Sequence, residues 1–335
     1  MLYTQNAENN HKYRVNDLLL GINQGMMMYK SWIFSFCFFI IFIGVMFFSC
    51  SSDHPELVPE TPETEKDTVI FSDRIAVAPL DNKTIDEASG MAMSILHENH
   101  FWTHNDSGDD PRIFLINNAA QYQVNCTLKG AVNRDWEDIA VAKDQVSGKS
   151  RIFIGDIGDN NAVHDFGFIY IMDEPSALSN ENITVTNYDI ITFRYQDGKR
   201  DAETLMVDPQ TGDIYIVSKR ESSVNLYQIK YPFSFKDTIT ANKLLSIPYT
   251  QIVGGDSSAD GPGILMKNYS KAWYWPRKKG KSIADAVSLR PYETPYIQEP
   301  QGEAICWSRD GKSFFTISEE SPFKTTPILY RYDRK

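Results

Sequence analysis

Cysteine is scarce. The 335 residues contain four (Cys37, Cys50, Cys126 and Cys306), with no CxxC pair and no Cys/His cluster. This excludes a disulfide-stapled scaffold and a structural zinc site, so a hydrophobic core must hold the fold together. Positive charge is also in short supply: 33 Lys and Arg face 44 Asp and Glu, giving a net charge of −11 and a pI near 5.1. Such a chain repels a phosphate backbone, which argues against a nucleic-acid partner. No segment carries a 3.6-residue apolar period. GxSxG, Walker, dinucleotide and HExxH signatures are all missing. The nearest approach, His97-Glu98-Asn99-His100, falls between two strand patterns and reads as a polar turn.

One long apolar run is present, from Trp32 to Phe48, just after Lys30. It is longer than a usual signal-peptide core and slightly short for a spanning helix. Its end, Phe48-Ser49-Cys50-Ser51-Ser52-Asp53, resembles a bacterial lipoprotein signal. On that reading residues 1–50 are a signal segment cleaved before Cys50, which becomes the lipid anchor. An uncleaved N-terminal transmembrane anchor is the alternative. Both put the rest of the chain outside the cytoplasm, in the bacterial cell envelope. Met26, Met27 and Met28 offer a second start, and residues 1–25 are assigned no structure. Residues 51–67 are rich in Pro, Glu and Thr and read as a disordered tether. The folded domain is expected over 68–335.

Within that domain a phrase recurs in which polar residues open an apolar strand, followed by a turn and a second strand. Its copies are Glu87-Ala88-Ser89-Gly90-Met91, Asp135-Trp136-Glu137-Asp138-Ile139, Asp201-Ala202-Glu203-Thr204-Leu205 and Gln301-Gly302-Glu303-Ala304-Ile305. A fifth is located by its turn, since Ser258-Ala259-Asp260-Gly261 matches Ser308-Arg309-Asp310-Gly311, and it places Val253 at the register of Glu303. The register positions are thus Ser89, Glu137, Glu203, Val253 and Glu303, spaced 48, 66, 50 and 50 residues apart. The two ends of the domain together supply one more repeat length. The expectation is an all-β chain forming a β-propeller of five blades with four antiparallel strands each. The segment Thr68–Ala76 supplies the outer strand that closes the last blade. Extra strands hidden in the 66-residue unit would make six.

In such a ring the first strands begin, and the second strands end, on one face. Glu87, Glu137, Glu203 and Glu303 lie at the starts; Asp106, Asp156, Asp159, Lys219, Arg220 and Glu319 lie at the ends. Strand alternation puts Asp135 on the side of Glu137 and Asp201 on that of Glu203. Carboxylates gathered in this way repel one another unless a cation compensates them. Calcium, which takes six to eight oxygen ligands, is the expected cofactor, with Glu87, Asp106, Glu137, Asp156, Asp159, Glu203, Glu303 and Glu319 as candidate ligands. The bland alternative is that the acids fasten loops. Trp136, beside Glu137, is the aromatic with a sequence reason to approach a ligand. Cys126 and Cys306 are expected to be buried separately.

The phrases EASGMA, WTHNDSGD, DWEDIA, GDIGDN, DAETLMVDPQTGDIYIVSK and QGEAICWSRDG resemble a group of secreted bacterial propellers. In their strand-opening Glu they are similar to the SdiA-regulated and phytase-like propeller families. The resemblance covers about residues 70–335. It implies the propeller fold, an acidic calcium-binding face, and Lys219 and Arg220 as ligand contacts. Val253 departs from the pattern, and no catalytic residue is carried over. Two functions follow: a monomeric, membrane-anchored module binding a small molecule, glycan or protein through its acidic face, or a metal-dependent hydrolase of phosphate esters or lactones.

Overall fold

The computed structural model describes residues 70–178, 182–258, 263–320 and 324–335. The chain divides into two units, 1–63 and 64–335. The apolar segment, Cys50 and the tether lie outside the described residues. Among those described, no helix is long and apolar enough to cross a membrane.

The fold is all-β. Its strands are β1 (Ile75–Pro79), β2 (Ala88–Met93), β3 (His100–Asn105), β4 (Arg112–Asn117), β5 (Tyr122–Leu128), β6 (Trp136–Lys143), β7 (Ser150–Asp156), β8 (Gly167–Asp173), β9 (Ile183–Val185) and β10 (Asp189–Tyr195). They continue with β11 (Ala202–Val207), β12 (Ile214–Ser218), β13 (Val224–Ile229), β14 (Ile239–Ile247), β15 (Ile252–Ser257), β16 (Gly263–Asn268) and β17 (Ala272–Pro276). After a single-turn helix α1 (Ile283–Val287) come β18 (Tyr292–Glu293), β19 (Ala304–Trp307), β20 (Ser313–Ile317) and β21 (Ile328–Asp333).

The sheet orders are β2-β3-β4-β5-β9, β11-β12-β13-β14-β10-β8-β7-β6, β15-β16-β17-β18 and β1-β21-β20-β19. The eight-stranded sheet consists of two antiparallel halves, joined where β10 and β14 run parallel, with Phe193 opposite Ile239 and Tyr195 opposite Ala241. The 66-residue unit does carry an extra strand, β9, but it leaves its own sheet and pairs in parallel with β5.

Apolar and β-branched runs such as Ile113-Phe114-Leu115-Ile116 in β4 and Ile214-Tyr215-Ile216-Val217 in β12 are buried on both faces. Each sheet therefore packs against a neighbour on either side. Among the described residues five apolar clusters result, one between each pair of successive four-stranded units. The first strands are neighbours: β2 lies against β6, β6 against β11, β11 against β15, β15 against β19, and β19 against β2. Hydrogen bonds tie some of them. Ser89 Oγ donates to the Glu137 carbonyl at 2.8 Å, Leu205 N–H to Asp138 Oδ2 at 2.9 Å, and Trp307 N–H to Asp256 Oδ2 at 2.8 Å.

The N-terminal strand joins the last sheet, but as Ile75–Pro79 on β21 rather than as 68–76. Phe71 explains the offset. It makes only an isolated bridge to Arg334, and its ring is buried among Tyr274, Trp307 and Phe314. Cys126 and Cys306 are free, buried and on different strands.

Candidate functional site

The repeat register turns out to be a register of β-bulges. In β2, Ala88 faces Asn105 and Gly90 faces His104, leaving Ser89 between them. The same shift falls at Glu137 in β6, Glu203 in β11 and Val253 in β15. Glu303 stands directly before the first paired residue of β19. A bulge carries one residue more than its partner strand and re-aims that side chain. The bulged glutamates Glu137 and Glu203 fall within one carboxylate group. The second strands of three units end into Asp106, Lys219 and Tyr269, each one residue beyond the register partner of the strand start. Glu319 lies two residues beyond Ile317, the partner of Ala304, and its N–H donates to the Gln301 carbonyl at 3.3 Å as those of Asp106 and Lys219 do to Glu87 and Asp201.

Two groups of carboxylates result. Asp106, Asp135 and Glu137 form one, and Glu137, Asp201 and Glu203 the other; within each, one oxygen per residue lies within 4.8 Å of the others. Glu137 belongs to both. Gly158 makes room for the first group, because a Cβ at that position would coincide with Glu137 Oε1 and Asp135 Oδ2. Burial, and then the neighbouring Glu203, Asp106, Asp135 and Glu303, push the Glu137 carboxyl well above its usual range. Asp106 is raised to about 6, chiefly by burial, against the pull of the Ser107 N–H. Glu319 is raised to about 8 by burial and by Glu303 and Asp106.

Compensation is uneven. In the second group, Lys219 Nζ pairs with Glu203 Oε1, and Arg220 Nε approaches Asp201 Oδ2 at 2.5 Å. Lys219 also donates to Tyr269 OH at 3.0 Å, and Tyr269 donates to Glu303 Oε1 at 2.7 Å. Burial works to lower the Lys219 ammonium, but the carboxylates of Glu203, Glu303 and Glu137 outweigh it and the net shift is upward. The remaining oxygens, Glu203 Oε2 and Glu303 Oε2, are buried and have no hydrogen-bond partner among the described residues. In the first group, among the described residues, no Lys or Arg forms an ion pair with Asp106, Asp135 or Glu137.

The candidate ligands separate accordingly. Asp106, Glu137 and Glu203 fall in the two groups, and Glu303 and Glu319 flank them. Glu87 is exposed and belongs to neither; its carbonyl accepts the Asp106 N–H at 2.9 Å and so draws that residue inward. Asp156 is a fastener, accepting from Asp135 N–H at 3.2 Å and pairing with Arg134 at 3.3 Å. Asp159 likewise accepts from the N–H groups of Val163 and His164 at 2.9 and 2.7 Å. Trp136 does not approach a ligand. Its indole is fully buried, tilted against Tyr170, and its Nε1–H donates to the Val132 carbonyl at 3.2 Å. Arg220 is exposed and also donates to Asn160 Oδ1. Asp135 and Asp201 complete the two groups. Tyr269 has no charge to draw attention to it, yet it lies sixteen residues after Val253, the interval that separates Glu203 from Lys219 and Glu303 from Glu319.

No protein-family model matches the chain. No curated protein matches it significantly either.

Proposed function

We propose that residues 70–335 are a five-bladed β-propeller closed by β1, and that its acidic centre binds a divalent cation through which the domain holds a ligand or protein partner. The ring of first strands and the cluster between each pair of neighbouring units support the architecture. The observation that carries the function is the group of Asp106, Asp135 and Glu137. Three carboxylates this close, partly or fully buried and without a basic partner, must hold either protons or a cation. An all-oxygen donor set of this kind suits a hard cation, and calcium tolerates its irregular geometry better than magnesium does. Lys219 and Arg220, the side chains that would meet a phosphate in a hydrolase, are both engaged by carboxylates, which favours a binding face over a hydrolytic one. The lipoprotein-like end of the apolar segment supports tethering of this face outside the cytoplasm by Cys50.

The test is thermal unfolding of the detergent-solubilised full-length chain, chelated and then resupplied with calcium, alongside metal analysis. A cation that binds only the folded chain, at a hundredfold over its Kd, adds about 2.7 kcal/mol, or roughly 5–10 °C in the midpoint. One calcium per chain and a shift of that size are expected. No bound metal and no shift would contradict the reading, and turnover of a phosphate ester or lactone that depends on calcium would replace the binding module with a hydrolase.

A further inference from the structure

The two carboxylate groups offer the same number of donors at the same spread, yet they differ in what they already hold. The second contains an ammonium. Lys219 Nζ sits on Glu203 Oε1 and Tyr269 OH and lies 5.4 Å from the Tyr269 ring centroid. An ammonium brings one charge and three donors, whereas a divalent cation brings two charges and room for six or more oxygens. Acceptor capacity is left over accordingly: the Glu203 and Glu303 side chains are more than nine-tenths buried, and their Oε2 atoms have no hydrogen-bond partner among the described residues. The position of Lys219 is itself informative. Its register equivalents are Asp106, Tyr269 and Glu319, which carry oxygen, and Ile157. A basic side chain stands at this position only beside the second group.

We propose that Lys219 is a built-in occupant of a second cation position formed by Glu137, Asp201 and Glu203, and that it restricts the acidic centre to one divalent ion, held by Asp106, Asp135 and Glu137. The inference rests on the cation reading above. Arg220 does not take this role, because its side chain is 44% exposed and its pairing with Asp201 is screened by water. With Lys219 removed, Glu137 becomes a carboxylate shared by two neighbouring ions.

The experiment counts bound calcium per full-length chain by equilibrium dialysis for the wild type, Lys219→Met, and the double variant Lys219→Met with Glu203→Gln. The expected counts are one, two and one. A folded Lys219→Met chain that still binds one ion overturns the proposal. If Lys219→Met unfolds in chelator, it is refolded in calcium: recovery of the fold with two ions supports the proposal, and failure to recover contradicts it. A wild type that binds none while Lys219→Met binds one overturns the assignment of the first group and leaves Lys219 as an occupant. Absence of calcium from all three chains overturns both.

Discussion

Glu137 is the residue that both carboxylate groups share, and among the described residues no side chain of opposite charge is paired with it. Its burial makes the ionised form costly in the absence of a cation. Glu137→Gln keeps the shape and removes the charge, so the metal-free variant is expected to melt at or a few degrees above the wild type. Calcium should no longer raise its midpoint. A variant that melts lower in chelator yet keeps the full calcium response contradicts the assignment. The pH dependence has a definite sign. Glu319 titrates at about 8 in the fold, so at neutral pH the folded chain holds a proton that the unfolded chain has released. Stability from such a group is present at low pH and is lost as pH rises through the folded value. His104, held at about 4 by burial, acts in the opposite sense below 6.5, and Lys267, lowered to about 8 by burial, does so above 8. Between pH 6.5 and 8 the midpoint of the chelated chain is therefore expected to fall, while calcium affinity rises as the ion displaces protons. Melting curves across that interval, with and without calcium, check both slopes. Tyr269 shows why sequence reading of the centre was incomplete: charge marks a candidate ligand, whereas a phenol relaying between Lys219 and Glu303 is visible only through its register. Trp136 errs the other way, because adjacency to Glu137 says nothing about which side of a bulged strand the indole takes.

At the scale of elements, the bulge is the device that converts a repeated phrase into a converging set of side chains. It also brings neighbouring first strands unusually close. A Cβ on Gly254 would lie 2.5 Å from the Glu303 carbonyl oxygen, and one on Gly90 would lie 2.8 Å from the Asp138 Cα. Backbone on the far side cannot yield as a flexible side chain would. Gly254→Ala is thus expected to cost about 1–3 kcal/mol of stability by urea unfolding. Unchanged stability would contradict the close approach of β15 and β19. The repeat, its register positions and the joining of an N-terminal strand to the last sheet were legible from apolar runs bounded by turns. Three elements were not. β9 is three residues that pair outside their own unit, and no local pattern announces such a partner. α1 has five residues, too few for a period, and its only sequence sign is the capping box of Ser282 and Asp285. β1 begins later than its apolar run because Phe71 serves the core instead of the ladder.

For the whole molecule, strand starts from distant parts of the chain are neighbours, β2 lying against β6 and β19, and β11 against β6 and β15. Glu137 and Glu303 are 166 residues apart in sequence, yet the Glu303 carboxylate helps to raise the Glu137 carboxyl and that of Glu319. A net charge of −11 adds a general attraction for cations, but specificity comes from where the uncompensated carboxylates stand. Glu174 shows the contrast within the same molecule. It is a buried acid that accepts from Trp102 Nε1–H at 2.9 Å, from the N–H groups of Ile95 and Leu96 at 3.2 Å each, and from Ser94 and Ser150, so its charge is spent on structure. The most direct measurement is anomalous diffraction from crystals of the protein grown with manganese or a lanthanide in place of calcium. One strong peak bounded by Asp106, Asp135 and Glu137 is expected, with Lys219 still on Glu203. Crystals that show no peak there, with those carboxylates hydrogen-bonded to one another through shared protons, would contradict it.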